Sequence, residues 1–382
     1  MRKRTKSIIM TVLFLMIIFG LTIINLMTPQ KSFSENENRL LQELPKFSTT
    51  DFFSGTFSSK FETYTTDQFV ARDSWVGMKS VVDLAIQKKD MKGVYFAKDD
   101  YLIEKYTQED INQEQFQRNI KRLKEFVQTN QPQLGKEHLK IMVVPTASEI
   151  LKDKLPKYAP TANQVEMLNQ IEDALPEGSF VNTFSTLSQH RKQDVYYHTD
   201  HHWTSYGAFL TYQQWAQEAG ISPWIEQDFT IKQVTDDFYG TIFSKANNPF
   251  TKPDSISIYL PKQEMSYQVD FNGEKEPMNS LYNFEYLEKK DKYSMFLNGN
   301  NALVTVKTNQ TNGKKLLIIK DSYAHSFLPF AANHFEEIHL VDFRYFRKAM
   351  SEYMQQEQFT DVLILYNMVN FAKDTNIGTL VK

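Results

Sequence analysis

The chain of 382 residues contains no cysteine. That excludes disulfides, thiolate metal sites and a cysteine nucleophile. It also lacks an excess of either charge: 43 Lys and Arg stand against 46 Asp and Glu, a net charge of −3, and no long basic block lies beyond the N-terminus. A nucleic-acid partner is therefore not indicated. No internal repeat or low-complexity tract is visible, and only one long uncharged apolar run occurs, Ser7 to Met27. What remains is ample for a full hydrophobic core without covalent staples. The 29 Phe and 19 Tyr suit that core, as large apolar side chains are normally buried, although a carbohydrate-contacting groove would use the same residues.

Residues 7–27 have the length of a bilayer crossing. Arg2, Lys3, Arg4 and Lys6 precede them, so the positive-inside rule puts the N-terminus in the cytoplasm and the rest outside. No small-x-small cleavage site follows, which favours a single-pass cell-membrane anchor (1–27) over a cleaved signal peptide. Residues 28–50 are polar, broken by Pro29 and Pro45, and carry the acidic run Ser34-Glu35-Asn36-Glu37-Asn38; they read as a linker. Residues 51–135 show helical periodicity, as in Phe116, Ile120, Leu123 and Val127, and a hairpin around Lys98-Asp99-Asp100, which predicts a helical entry subdomain.

From residue 136 to 382, strand and helix patterns alternate. Strands are expected at 141–144, 180–181, 316–319, 338–341 and 362–365, and helices at 161–175, 205–219 and after Ser322. The pattern predicts a three-layer α/β domain with a mostly parallel sheet. Between about 224 and 313 it becomes strand-like, with turns at Asn272-Gly273 and Asn298-Gly299, which reads as a β-rich insertion.

Two short segments carry the chemistry: Thr199-Asp200-His201-His202-Trp203 and Ile319-Lys320-Asp321-Ser322-Tyr323. On an extended segment residues i and i+2 share a face, so Asp200 can orient His202 while His201 points away. Ser322 follows the apolar run Leu316-Leu317-Ile318-Ile319 and precedes a helix-like stretch, where a strand-to-helix turn exposes a hydroxyl. A nucleophile, a base and an orienting acid are thereby available, and the Ser322 N–H at the helix start is a candidate oxyanion donor. Arg344, Tyr366 and Asn367 stand at the ends of the next two strands and are candidates for substrate or oxyanion contact. The rival chemistry is a metal-dependent hydrolase, since His198, Asp200, His201, His202 and His325 supply zinc-type ligands. Adjacent histidines diverge on an extended chain, so no metal or other cofactor is assigned. His138, His190, His334 and His339 show no partner in the sequence.

The segment Asp200-His201-His202-Trp203-Thr204 resembles the signature of the DHHW proteins and is similar to the D-x-H-W element of the alginate O-acetyltransferase family, within the SGNH hydrolase-like group. Residues 67–73 and 93–99, Val143-Val144-Pro145, Asp237-Phe238-Tyr239-Gly240-Thr241 and Lys320-Asp321-Ser322 also look like DHHW landmarks, so the resemblance covers most of the chain beyond the anchor. It implies Ser322 as nucleophile, His202 as base and Asp200 as orienting acid, in an order permuted relative to ordinary SGNH esterases. Lys320 replaces the glycine of the usual Gly-Asp-Ser element. The expectation is an extracytoplasmic serine O-acetyltransferase or acetylesterase acting on a cell-wall polysaccharide or exopolysaccharide, with a membrane-embedded acyltransferase as donor partner. The alternative from another class is a non-catalytic polysaccharide assembly or binding protein.

Overall fold

The computed structural model describes residues 2–34 and 39–381; Glu35 to Asn38 of the acidic run lie outside the described residues. The chain divides into two compact units, Met1–Lys88 with Ser244–Phe250, and Lys89–Phe243 with Thr251–Lys382.

The first unit begins with the helix Arg2–Met27. Its stretch Thr5–Met27, 23 residues, is long and apolar enough to cross a membrane. At 1.5 Å per residue it measures about 35 Å against a hydrocarbon core of about 30 Å. Helices Thr49–Phe53, Thr56–Asp67 and Arg72–Ala85 follow.

The second unit has a mixed α/β fold built on a six-stranded sheet. Across it, the order is Leu139–Val144, Asp361–Asn367, Lys315–Lys320, Glu337–Val341, Leu303–Thr308 and Tyr267–Asp270. The first four strands are mutually parallel, and the last two join antiparallel at one edge. Strands covered on both faces read as unbroken apolar runs, which explains Leu316-Leu317-Ile318-Ile319. Side-chain alternation sends Leu316 and Ile318 to one core and Leu317 and Ile319 to the other. The first core includes Ala208 and Trp215 of helix Ser205–Glu218 and Phe327 of helix Ala324–Ala331. The second includes Phe116, Ile120, Leu123 and Val127, the buried stripe of helix Gln113–Leu134.

Residues 224–313 divide between two sheets. Phe229–Phe238 and Asp254–Pro261 form a separate antiparallel ribbon, whereas Tyr267–Asp270 and Leu303–Thr308 complete the main sheet. Asn272 and Gly273, like Asn298 and Gly299, have positive φ, as tight turns built on Asn-Gly require. The segment 180–181 contributes only a parallel bridge from Phe180 to Ile141. Val94–Phe96 pairs antiparallel with Leu102–Glu104, with Asp99 and Asp100 at positive φ in the connection.

Candidate active site

The chain from Val195 to Trp203 doubles back. Tyr196 and Trp203 form an antiparallel bridge and Tyr197 N donates to His202 O at 3.3 Å, so residues 198–202 make a tight loop rather than the extended run expected from sequence. Helix Ser205–Glu218 closes onto this loop through Gly207, where a Cβ would come within 2.3 Å of Val195 O. Buried Asp254 fastens the other side, accepting from His198 N and Thr199 N, each at 2.8 Å, and from Thr199 Oγ1 at 2.6 Å.

Asp200 and His202 meet within the loop: Nδ1 of His202 lies 2.5 Å from Asp200 Oδ2. His201 does not turn away, contrary to expectation. Its Nδ1 is 3.5 Å from Asp200 Oδ1, and its ring centre is 3.9 Å from that of His202. The reason is geometric, since successive side chains alternate by half a turn only on an extended strand.

Thr241 anchors the second Asp200 oxygen, donating to Oδ1 from N at 2.7 Å and Oγ1 at 2.8 Å, while His201 Nδ1 sits 2.7 Å from the same Oγ1. Gly240 makes this approach possible, because a Cβ there would stand 2.2 Å from the Asp200 Cβ.

Ser322 arrives on the turn between strand Lys315–Lys320 and helix Ala324–Ala331. Its Oγ is 2.7 Å from His202 Nε2. The three residues separated in sequence are thus brought into one hydrogen-bonded line. Asp321 shapes the turn: Oδ1 accepts from Tyr323 N at 2.9 Å, and Oδ2 from Asn367 N at 2.9 Å, Asn367 Nδ2 at 2.7 Å and Asn370 Nδ2 at 2.8 Å. Tyr293, from the 224–313 segment, stacks on the His202 ring at 3.7 Å and 11° and donates to Ser322 O at 3.1 Å. Trp203 Nε1 donates to Ser326 Oγ at 2.9 Å, tying the two segments together.

The charge states suit proton transfer. Burial pushes the His202 pKa down to about 4, helped by the charge of His201 and opposed by Asp200. The ring is therefore neutral near pH 7, with the proton on Nδ1 toward the carboxylate and the Nε2 lone pair toward Ser322. Burial works to raise the Asp200 pKa, but the charges and hydrogen bonds of His201 and His202 outweigh it and hold it well below the usual range.

Of the remaining candidates, Arg344 and Asn367 have other partners and Tyr366 is buried. Arg344 is paired with Asp342, Nε to Oδ1 at 2.9 Å and Nη2 to Oδ2 at 2.6 Å, and donates to Asn300 Oδ1 at 3.0 Å. Tyr366 is buried within its strand and its hydroxyl has no hydrogen-bond partner among the described residues. Asn367 spends its amide on Asp321 and its Oδ1 on Asn370 N at 2.9 Å. Lys320, in the usual glycine position, is buried with Nζ 2.6 Å from His325 Nε2 and 3.5 Å from Asp342 Oδ2. Burial lowers its pKa to about 8.

Asp200, His201 and His202 present ligand atoms within 4.8 Å of one another, the geometry a metal would need. In this structure Asp200 bonds to His202 and Thr241, His202 Nε2 to Ser322, and His201 Nδ1 to Thr241. His138, His190, His334 and His339 have partners that only tertiary structure supplies: Asp361, Thr186, Tyr212, and Tyr353 with Glu337. A cavity of ≈ 50 Å³ lies beside the site, bordered by His201, Tyr323, Ala147, Ile242 and Asn370.

Among solved structures, a DHHW family protein from Eubacterium siraeum is 23% identical, with a TM-score of 0.64 over 76% of this chain and 95% of that one. PatB1 of Bacillus cereus, solved with a sulfonyl adduct, is 20% identical with a TM-score of 0.62, over 76% of this chain and 100% of the other. The O-acetyltransferase domain of Pseudomonas putida AlgJ is 13% identical with a TM-score of 0.44, over 74% and 93%. No curated protein sequence matches the chain. The family model described as DHHW protein matches residues 126–341, more than half of the chain. By that match and the loop that carries its signature, the chain belongs to the DHHW family.

Proposed function

We propose that the protein is a serine O-acyltransferase or esterase, with Ser322 as nucleophile, His202 as general base and Asp200 as orienting acid. The observation that carries this reading is the continuous line from Asp200 Oδ2 to His202 Nδ1, and from Nε2 to Ser322 Oγ, at 2.5 and 2.7 Å. Ser322 Oγ attacks the carbonyl carbon of an ester as its proton passes to His202 Nε2. His202 returns that proton to the departing alkoxide, leaving an acyl group on Ser322. A sugar hydroxyl or water then repeats the sequence in reverse. The Ser322 N–H, which has no acceptor among the described residues, is the first oxyanion donor.

The acceptor or substrate in this reading is a cell-surface or secreted polysaccharide, with the catalytic unit outside the cell and a membrane-embedded acyltransferase as a possible source of acyl groups. The order Asp200, His202, Ser322 is read as a permuted SGNH-like arrangement with residues 224–313 inserted. The sulfonyl adduct of PatB1 supports a reactive nucleophile in a protein of this fold. The test is turnover of a chromogenic acetyl ester by the full-length protein, with and without an oligosaccharide acceptor. Acetylated acceptor marks a transferase and free acetate alone an esterase; no turnover and no acyl-enzyme would remove the reading in favour of a binding protein.

A further inference from the structure

The first unit has almost no apolar interior. Among its described residues only Leu41 and Ala246 are buried apolar residues, while Ser34, Asp67, Ser80, Asp83, Ser244 and Asn248 are buried. Helix Arg72–Ala85 shows the inversion most sharply. Trp75, Met78, Val82 and the capping Ile86 recur at helical spacing and are 48%, 57%, 53% and 70% exposed. Its inward residues are Ser80, whose Oγ donates to Ala246 O at 2.7 Å, and Asp83, which pairs with Lys79 at 2.8 Å and Lys88 at 3.6 Å. In water such a helix would turn the opposite stripe inward.

The same unit fixes where this face stands relative to the membrane-length helix. Val70 N donates to Asn25 Oδ1 at 2.8 Å, and Asn25 is two residues from the end of that helix at Met27. Gln30 Nε2 donates to Tyr64 Oη at 2.8 Å, and Lys31 and Gln68 exchange two hydrogen bonds through Lys31 N and O, at 3.0 and 2.9 Å. Phe69, next to Val70, therefore lies beside the last turn of the span, and the Trp75 ring packs against it with centroids 6.4 Å apart. An amphipathic ring such as tryptophan is at home there, apolar body in the acyl boundary and N–H among headgroups.

We infer that the outward stripe of helix Arg72–Ala85, with Phe69, lies in the headgroup and acyl boundary of the outer leaflet, and that its occupant is the lipid surface itself. The unit is then a platform resting on the bilayer from which the span emerges, and its apolar residues are buried by lipid instead of by a core. The inference rests on the reading of Thr5–Met27 as a membrane span.

The absence of cysteine makes the test direct. Single-cysteine variants Trp75→Cys, Met78→Cys and Val82→Cys of the full chain are spin-labelled in vesicles of phosphatidylethanolamine and phosphatidylglycerol. Phe14→Cys serves as the in-span reference and Tyr158→Cys, in the second unit, as the aqueous one. Collision rates with oxygen and with a polar nickel chelate are then compared. The expected result is an oxygen-to-nickel ratio several-fold above that at position 158 and approaching that at position 14. A ratio equal to that at 158, with position 14 in lipid, overturns the platform. Protection from both reagents also overturns it, because protein then covers the face. An aqueous reading at position 14 overturns the span on which the inference rests.

Discussion

The two units obey the same burial physics with opposite results. In the second, the carboxylates of the site are buried and each has partners: Asp200 holds Thr241 and His202, and Asp321 holds Tyr323, Asn367 and Asn370. In the first, apolar side chains face outward and the buried residues are mostly polar. A buried charge without partners is costly, so the second unit is a site built to hold charge in place. An exposed apolar stripe is equally informative, because a soluble surface seldom keeps one. The difference teaches that sensitivity to substitution should concentrate in the second unit, around Asp200 and Ser322.

The largest effect that would sharpen this contrast is expected from Asp200→Asn. Thr241 would still donate to one side-chain oxygen, but the amide would turn an N–H toward His202 and favour the wrong tautomer. The expected fall in kcat is about 10⁴-fold, as for loss of an orienting acid elsewhere, with an unchanged circular dichroism spectrum. Retention of more than a tenth of the activity would break the assignment of Asp200.

Gly240→Ala comes next. The new Cβ would press on Asp200, and a displacement of about 1 Å at a catalytic group costs roughly 10²-fold in rate. Comparison with Gly220→Ala, at a positive-φ glycine elsewhere in the unit, separates this local effect from general destabilisation. Equal activity losses at the two positions would show that Gly240 acts through stability alone.

His201→Ala should cost less, because it removes one hydrogen bond to Thr241 while leaving both Thr241 donors on Asp200. A net hydrogen bond of about 0.5–1.5 kcal/mol corresponds to a loss of at most about tenfold in kcat/KM. A loss as large as that of His202→Ala, restored by added zinc, would turn the account toward a metal site.

The smallest effect is a pH dependence. As the proposed base, His202 must be neutral to accept a proton from Ser322, and burial pushes its pKa down to about 4. Activity should therefore rise with pH through about 4 and level off above it. Stability moves the same way: the depressed pKa means that the unfolded chain takes up the proton first, so the contribution present above the ordinary histidine value is lost as pH falls through about 4. A rate profile with its midpoint near 6.5 would show His202 to be solvated, in conflict with its burial beneath Tyr293.

Much of the site was legible in the sequence because its parts have strong local signatures. An apolar run followed by Asp321-Ser322 announces a strand-to-turn transition, and Asp200-His201-His202-Trp203 is dense in proton-transfer groups. Orientation was not legible. The 198–202 loop depends on the Tyr196 to Trp203 bridge and on Asp254, more than 50 residues away, so local periodicity misplaced His201. Tyr293 gave no signal, since its role is stacking across the fold. Thr241 and Gly240 were visible as part of a motif, but only their contact with Asp200 reveals why. Arg344 and Asn367 were sought at the right strand ends, yet Asp342 and Asp321 occupy their donors. The inverted helix at 72–85 escaped the sequence because a helical period shows which residues share a face and not which way that face looks.

The central claim is that Ser322 is a nucleophile activated by His202. Treating the full-length protein with an arylsulfonyl fluoride and mapping the adduct by peptide mass spectrometry tests it most directly. The account predicts one adduct, on the peptide containing Ser322, absent in Ser322→Ala and formed much more slowly in His202→Ala. An adduct on another residue, or labelling of Ser322 at the same rate without His202, would contradict it.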